Sequence, residues 1–326
     1  MRRRDFIAAS AATLGLTLIG RISVVAGAVK HQPELLGVVE PAAAQPTDGG
    51  RTLQGLTWHE NRLWGGYGDW RNNTGPIHPW SWSEQEGIRV YAALPTEAIE
   101  RYVSAGGTLW TPATDPTGSG PGWVAFLDGN TWTVIELPDP VWHVFDLAEH
   151  LPTGEVWVSG ADMASNQGAL WRYNGVEFEA PVLVPVVDGR SYWLATRSDG
   201  ALVTPSDRQR VHHVYNGEAW DLYVPEAMRA IFDYAEVYDL NGVHIMEGKY
   251  VGLPVRSLVD YKRVVSSAAG VSEGKLWLAR GPRITPYGEK RPQARAIKNV
   301  RDLHTHDGYV YMGDNAGRLW RSPLFM

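Results

Sequence analysis

The chain has 326 residues, 44% apolar and 11% aromatic, so it can bury a large core, and all-β repeat folds of this length run as one unit. Its 30 Lys and Arg stand against 36 Asp and Glu, a formal net charge of −6, which argues against general binding of nucleic acid or anionic membranes. There is no cysteine, so disulfides and thiol chemistry are excluded and the fold rests on packing alone.

The chain opens on a basic head, Met1-Arg2-Arg3-Arg4-Asp5-Phe6-Ile7, whose Arg-Arg-Asp-Phe-Ile run resembles the twin-arginine export motif. The alanine-rich stretch from Ala8 to Gly20 is weakly apolar and is cut off by Arg21, short of the roughly 20 residues a membrane span needs. Ala26-Gly27-Ala28 offers an A-x-A cleavage signature and Ala42-Ala43-Ala44 a second. The expectation is a twin-arginine-type signal peptide over residues 1–28, with alternative cleavage near 44. No stable membrane span would remain, and the destination would be periplasmic or extracellular. Loss of residues 1–28 removes four arginines and one aspartate, leaving 26 basic against 35 acidic groups, a net −9. Residues 29–50, with Pro-Ala-Ala-Ala-Gln-Pro-Thr-Asp-Gly-Gly at 41–50, read as a linker or closing-strand segment ahead of a repeat domain over 51–326.

Within 51–326 a glycine-marked turn recurs at Gly107, Gly154, Gly200, Gly242, Gly274 and Gly308, in steps of 47, 46, 42, 32 and 34 residues. A strand precedes each turn (strand a: Ile99–Val103, His143–Leu147, Tyr234–Leu240, Asn299–Thr305) and another follows it (strand b, as in Thr108–Thr111 and Glu155–Ser159). A second turn recurs as Asp128-Gly129, Asn174-Gly175 and Asn216-Gly217 between aromatic runs, which predicts a type I′ hairpin joining strands c and d. Trp80-Ser-Trp82-Ser-Glu-Gln-Glu-Gly87 is a looser version. Two hairpins per period make a four-stranded antiparallel blade, and units that cannot bury their faces alone stack on one another. Counting strand b at Trp64, Trp110, Trp157, Leu202, Ile245, Trp277 and Tyr311 gives seven units. Units five and six are short, which leaves six as the alternative count. Most of the 15 tryptophans fall at equivalent positions and are assigned to packing. The chain ends three strands into its last unit, so the fourth strand must come from Pro33–Glu40 or from Arg51–Leu56.

This pattern resembles the β-propeller superfamily over roughly residues 50–326, and the fold class expected is an all-β, seven-bladed β-propeller (six blades possible). The c–d turns resemble degenerate Asp-boxes of sialidase-like propellers, in which only Asp/Asn-Gly-x-x-Trp/Phe remains. The resemblance implies fold and leaves activity open.

In such a fold the b–c loops and d–a connections share one face around the channel, where ligands bind. Charged residues follow strand b at Asp69, Asp115, Asp162, Asp207, Glu247, Arg280 and Asp314. Each aspartate either starts a turn by accepting backbone N–H groups or joins a ring of carboxylates for a cation or for sugar hydroxyls. Calcium would need six to eight converging oxygens; no cofactor is expected, with a cation such as calcium left open. The loop Gly65-Gly66-Tyr67-Gly68-Asp69-Trp70-Arg71-Asn72-Asn73-Thr74 breaks the repeat most and mixes aromatics, acid, base and amides as carbohydrate sites do. Ligand-binding candidates are therefore Tyr67, Asp69, Trp70, Asn73, Asp115, His143, Asp162, Asp207 and Asp314. Asp69, Glu97, Asp115, Asp162, Asp233 and Glu236 are the carboxylates available for a glycosidase pair. His304-Thr-His306 has zinc-compatible spacing but lies at the opposite rim. The chain reads as a secreted, monomeric module that recognises a carbohydrate or protein partner through its b–c face. The alternatives are a glycoside hydrolase using channel-mouth carboxylates and a structural cell-envelope protein.

Overall fold

A computed structural model describes residues 32–117, 121–138, 141–150, 152–187, 194–196, 201–205, 212–223, 237–240, 243–246, 249–250, 268–272, 275–286 and 291–325. Among these, the strands form seven antiparallel sheets, six of four strands and one of three, as expected for a β-propeller. The first sheet runs Gln54–His59, Arg62–Gly66, Trp80–Ser83, Gly87–Val90. The second is Val103–Ala105, Thr108–Pro112, Trp123–Asp128, Thr131–Glu136, and the third Val141–His150, Glu155–Asp162, Gln167–Tyr173, Val182–Val187. The fourth is Ala195–Thr196, Leu202–Pro205, His212–Tyr215, Trp220–Tyr223, and the fifth, of three strands, is Val237–Leu240, Val243–Met246, Lys249–Tyr250. The sixth is Ala268–Ser272, Lys275–Arg280, Arg283–Pro286, Ala294–Arg295.

The seventh sheet joins the two ends of the domain. Val300–His306, Tyr309–Asp314 and Arg318–Pro323 are completed by Glu34–Val38, which pairs antiparallel with the last strand from Glu34↔Arg321 to Val38↔Arg318. Of the two candidate closing segments, the first is the one used. Arg321 clamps the joint, pairing Glu34 at 2.9 Å and also Glu84 of the first sheet, with its guanidinium 4.9 Å from the Tyr309 ring.

Successive sheets are held by aromatic contacts that explain the tryptophan period. The strand-b ring of one sheet meets an aromatic of the next: Trp64 with Trp132 at 5.6 Å, Trp110 with Tyr173 at 5.3 Å, Trp157 with Tyr215 at 5.1 Å. Across the closing joint Tyr311 meets Trp82 at 5.5 Å. A side chain that must fill an inter-sheet gap recurs once per sheet, and a large flat ring fills it best.

The two turn series exchange the chemistry expected of them. Apart from the turn at Thr153-Gly154, where Gly154 alone is positive, the described a–b turns have two consecutive positive-φ residues, Glu60-Asn61, Gly106-Gly107 and Asp307-Gly308, each closed by a strand pair on either side. That is the type I′ signature. At the Asp128-Gly129 turn only Gly129 has positive φ, and Asp128 pairs with Thr131 across it. Asn174 and Asn216 instead open wider loops. Each side-chain oxygen accepts two backbone N–H groups, Val176 and Glu177 in one case and Glu218 and Ala219 in the other. The asparagine amide satisfies donors that a two-residue turn would have paired across the ladder.

Of residues 29–50, Glu34–Val38 supplies the closing strand, and the stretch 41–50, expected as a linker, carries short helices. After the closing strand, short helices Glu40–Ala43 and Asp48–Arg51 carry the chain to the first inner strand, burying Val39, Ala42 and Leu53 completely. His304 and His306 pair with Tyr311 and Tyr309 on one strand. His306 stacks on Trp58 at 3.8 Å, while burial pushes the His304 imidazole down to about 4.

Candidate site on the b–c face

The loop Tyr67–Pro79 between the second and third strands of the first sheet owes its shape to close backbone approach. The crossover that leads from the first sheet to the second, residues 91–102, threads between this loop and the b–c loop of the second sheet. It is hydrogen-bonded on both sides: Gly68 bridges Ala98, Ile77 bridges Leu94, and Thr96 bridges Pro116. A Cβ on Gly66 would lie 2.0 Å from the Ile99 carbonyl oxygen, and one on Gly75 2.3 Å from that of Thr96. The glycines that mark this loop in the sequence therefore let the crossover in.

That crossover brings Glu97 beside Asp115, with the Glu97 N–H donating to the Asp115 carbonyl at 2.9 Å. The Glu97 carboxyl is pushed up from its ordinary value, first by burial and then by repulsion from Asp115. On the other side of Asp115 stands His143 of the third inner strand. Its Nδ1 faces the Thr114 carbonyl at 2.9 Å and Asp115 Oδ1 at 3.6 Å. Two acceptors at Nδ1 place the proton of the neutral ring there and leave the lone pair on Nε2. Asn73, in a left-handed conformation, places one end of its amide 3.0 Å from Glu97 Oε2 and 3.2 Å from the Trp70 carbonyl; both are acceptors, so that end is assigned as the nitrogen. Trp70 is 38% exposed, donates from Nε1 to Glu100 at 3.2 Å, and carries the Arg71 guanidinium 5.0 Å over its ring.

The remaining described candidates are more deeply buried and bonded by their surroundings. Tyr67 is fully buried, accepts the His78 N–H at 2.9 Å, and has its phenol pushed up to about 12 by burial. Asp69 accepts from Thr47 Oγ1 at 3.0 Å and Asn72 Nδ2 at 2.7 Å, while its own N–H donates to Thr74. Asp162 holds the N–H and hydroxyl of Ser165. Asp314 accepts four donors, from Ala316 N, Arg318 N, Arg318 Nε and Trp320 Nε1. These three carboxylates are 7%, 4% and 1% exposed, and each is held by protein donors. Asp207, Glu247, Asp233 and Glu236 lie outside the described residues. The structure thus brings Asn73, Asp115 and His143 together around Glu97, with Trp70 adjoining through its carbonyl at Asn73 and its indole on Glu100. Among the described residues no group of three or more His, Asp or Glu is placed to hold a metal ion.

Sequence reasoning named Glu97 only among many carboxylates. The signal that placed it is the glycine spacing at 66, 68 and 75, which demands a neighbouring backbone without saying whose.

No family model matches the chain, and no curated protein matches it. Solved structures do. Virginiamycin B lyase from Staphylococcus aureus superposes with a TM-score of 0.59 at 12% identity, covering 90% of this chain and 99% of its own. A streptogramin B lyase gives 0.56 at 12% identity, over 90% of this chain and 97% of that one. A catalytically inactive histidine-to-alanine variant of the S. aureus lyase, solved with quinupristin, gives 0.55 at 11% identity over 86% and 98%. The likeness is one of fold.

Proposed function

We propose that this chain is an exported, seven-bladed β-propeller that recognises a polyhydroxylated ligand, a carbohydrate by class, at the cluster of Trp70, Asn73, Glu97, Asp115 and His143. The observation that carries the reading is the division of labour among the acids of this face. Asp69, Asp162 and Asp314 are buried and each accepts at least two protein donors, whereas Asp115 is 29% exposed and stands beside His143, itself 25% exposed. An exposed indole edge next to acceptors of mixed geometry suits a sugar ring, whose C–H face stacks and whose hydroxyls are held by carboxylates and amides. The seven sheets support the seven-blade count, and the Arg-Arg-Asp-Phe-Ile head supports export. The test is a glycan array followed by calorimetry on the best hit. Trp70→Ala and Asp115→Asn should each weaken binding about tenfold or more, and Asp162→Asn should leave it unchanged. Equal binding by all three would sink the reading, and binding of a protein partner alone would replace the carbohydrate with that partner.

A second reading, glycoside hydrolysis, is favoured by one observation: Glu97 holds its proton more tightly than an ordinary carboxylic acid because Asp115 and burial act on it together. A carboxylic acid whose proton is held more tightly, next to a second carboxyl, is the arrangement that glycosidic cleavage draws on. Turnover of chromogenic glycosides, lost in both Glu97→Gln and Asp115→Asn, would make the site catalytic. Binding without turnover leaves the recognition module.

A further inference from the structure

The sequence offers two small-residue signatures at which an export peptidase can cut, Ala26-Gly27-Ala28 and Ala42-Ala43-Ala44. Signal peptidases take small side chains on an extended, accessible segment. The second signature has none of that geometry. Ala42 is completely buried. The Ala43 N–H donates to Val39 at 2.9 Å, that of Ala44 to Glu40 at 3.0 Å and that of Gln45 to Ala42 at 3.0 Å, so the peptide units that would enter a protease cleft are coiled on themselves. Arg51 holds the Gln45 carbonyl at 2.9 Å. The turn at Gly317, where a Cβ would lie 2.7 Å from the Ala43 nitrogen, packs directly against this helix.

What lies upstream of the second signature matters as much. Glu34–Val38 is the fourth strand of the seventh sheet. Val39 continues the pairing through a 2.8 Å bond to the Gly317 carbonyl, and a Cβ on Gly37 would lie 2.7 Å from Ile88 of the first sheet. A cut after Ala44 would therefore remove an integral strand and one side of the Arg321 clamp, together with the helix that seats the seventh-sheet turn.

We infer that processing of the exported protein takes place ahead of Glu34, at Ala26-Gly27-Ala28, and that Ala42-Ala43-Ala44 is a structural element that is not cut. The inference rests on the export reading above and is independent of any ligand. The mature chain then begins at Val29 and keeps its closing strand. The signature that is kept is locked in the fold's hydrogen-bonding network.

The test is N-terminal sequencing and intact mass of the full chain recovered from the periplasm or medium. A start at Val29 is the expected result. A start at Gln45 overturns the inference, and so does an exported chain that still carries residues 1–28. Two variants separate the signatures. Ala28→Leu should accumulate the unprocessed precursor, while Ala44→Leu, at an exposed position, should be processed as the wild type is. Processing blocked by Ala44→Leu and untouched by Ala28→Leu would reverse the assignment. The route is scored separately with Arg3→Lys plus Arg4→Lys, which should hold the precursor in the cytoplasm; unchanged secretion of that double variant removes the twin-arginine route, and a wild-type chain that stays in the cytoplasm removes the export reading. As an independent check, a chain beginning at residue 29 should unfold in a single cooperative transition that one beginning at 45 lacks.

Discussion

Asp146 and Asp302 stand at the same place on two inner strands and make the same clasp. Each follows a register shift in its strand, and each accepts the N–H of its own successor, Leu147 or Leu303, at 2.8 Å. Each then reaches the sheet that follows. Asp146 accepts the Leu194 N–H at 3.1 Å, and Asp302 accepts that of Leu56 at 2.9 Å, across the joint where the ring closes. Asp146 also receives Arg101 from the crossover that leads into the second sheet, whereas Asp302 holds backbone donors, Gly55 included.

Removing the Asp302 carboxylate strands at least two buried N–H groups. Asp302→Ala should lower unfolding stability by about 2–3 kcal/mol, because an orphaned buried donor forfeits its whole solvation. Asp302→Asn, which keeps one carbonyl acceptor, should cost less. Urea unfolding midpoints of the two variants against wild type check the order; equal values would show the clasp to be idle.

The same residue gives stability a pH dependence of uncommon sign. Burial outweighs the backbone donors and raises the Asp302 carboxyl from 3.8 to about 7, and that of Asp146 to about 6. A raised acid holds its proton longer in the folded than in the unfolded chain. Its contribution is full below pH 3.8 and is lost as pH climbs through about 7. His304, lowered to about 4, acts oppositely, its contribution lost as pH falls from 6.5. Asp302→Asn deletes the acid term alone. Measured relative to wild type, this variant should therefore gain stability between pH 4.5 and 7.5. A difference that stays flat across that range would refute the raised carboxyl.

Two glycines of the first sheet should respond differently to alanine. At Gly66 the obstacle is the Ile99 carbonyl, 2.0 Å from the added carbon, and backbone cannot step aside. Gly66→Ala should cost about 1–3 kcal/mol and displace the crossover that carries Glu97. At Gly87 no atom lies within 4 Å, but φ is +68°. Gly87→Ala should cost about 1 kcal/mol, the strain of a left-handed residue, and leave the site intact. Thermal melts combined with ligand titration separate the two kinds of damage.

Arg321→Ala should lower stability by about 1–2 kcal/mol, since it removes two carboxylate partners and a ring contact at one joint. The loss should shrink in high salt, because part of it is screened charge. Melting curves at low and high ionic strength measure it.

Much of the architecture was legible in the sequence because each repeat announces itself by an obligatory turn. Strand b is marked by Trp64, Trp110, Trp157, Trp277 and Tyr311, and all five are buried where the period places them. The closing strand was legible as a debt, three strands lacking a fourth, though not which segment settled it. The clasp aspartates were invisible. Asp146 and Asp302 lie in strands of ordinary composition, and their significance depends on a bulge that aims a short side chain at the next sheet. The site was half legible. Asp115 and His143 could be proposed from position alone, but Asp69, Asp162 and Asp314 look like Asp115 in sequence and differ only in how many donors their own loops supply.

The bond between Arg321 and Glu34 spans 287 positions of the chain. On the ribosome the first partner waits through 287 positions of synthesis before the second exists. Until then the nascent chain carries an open flank on its seventh sheet, an edge that invites pairing with a neighbouring chain, so the interval before closure is when a chaperone serves it best.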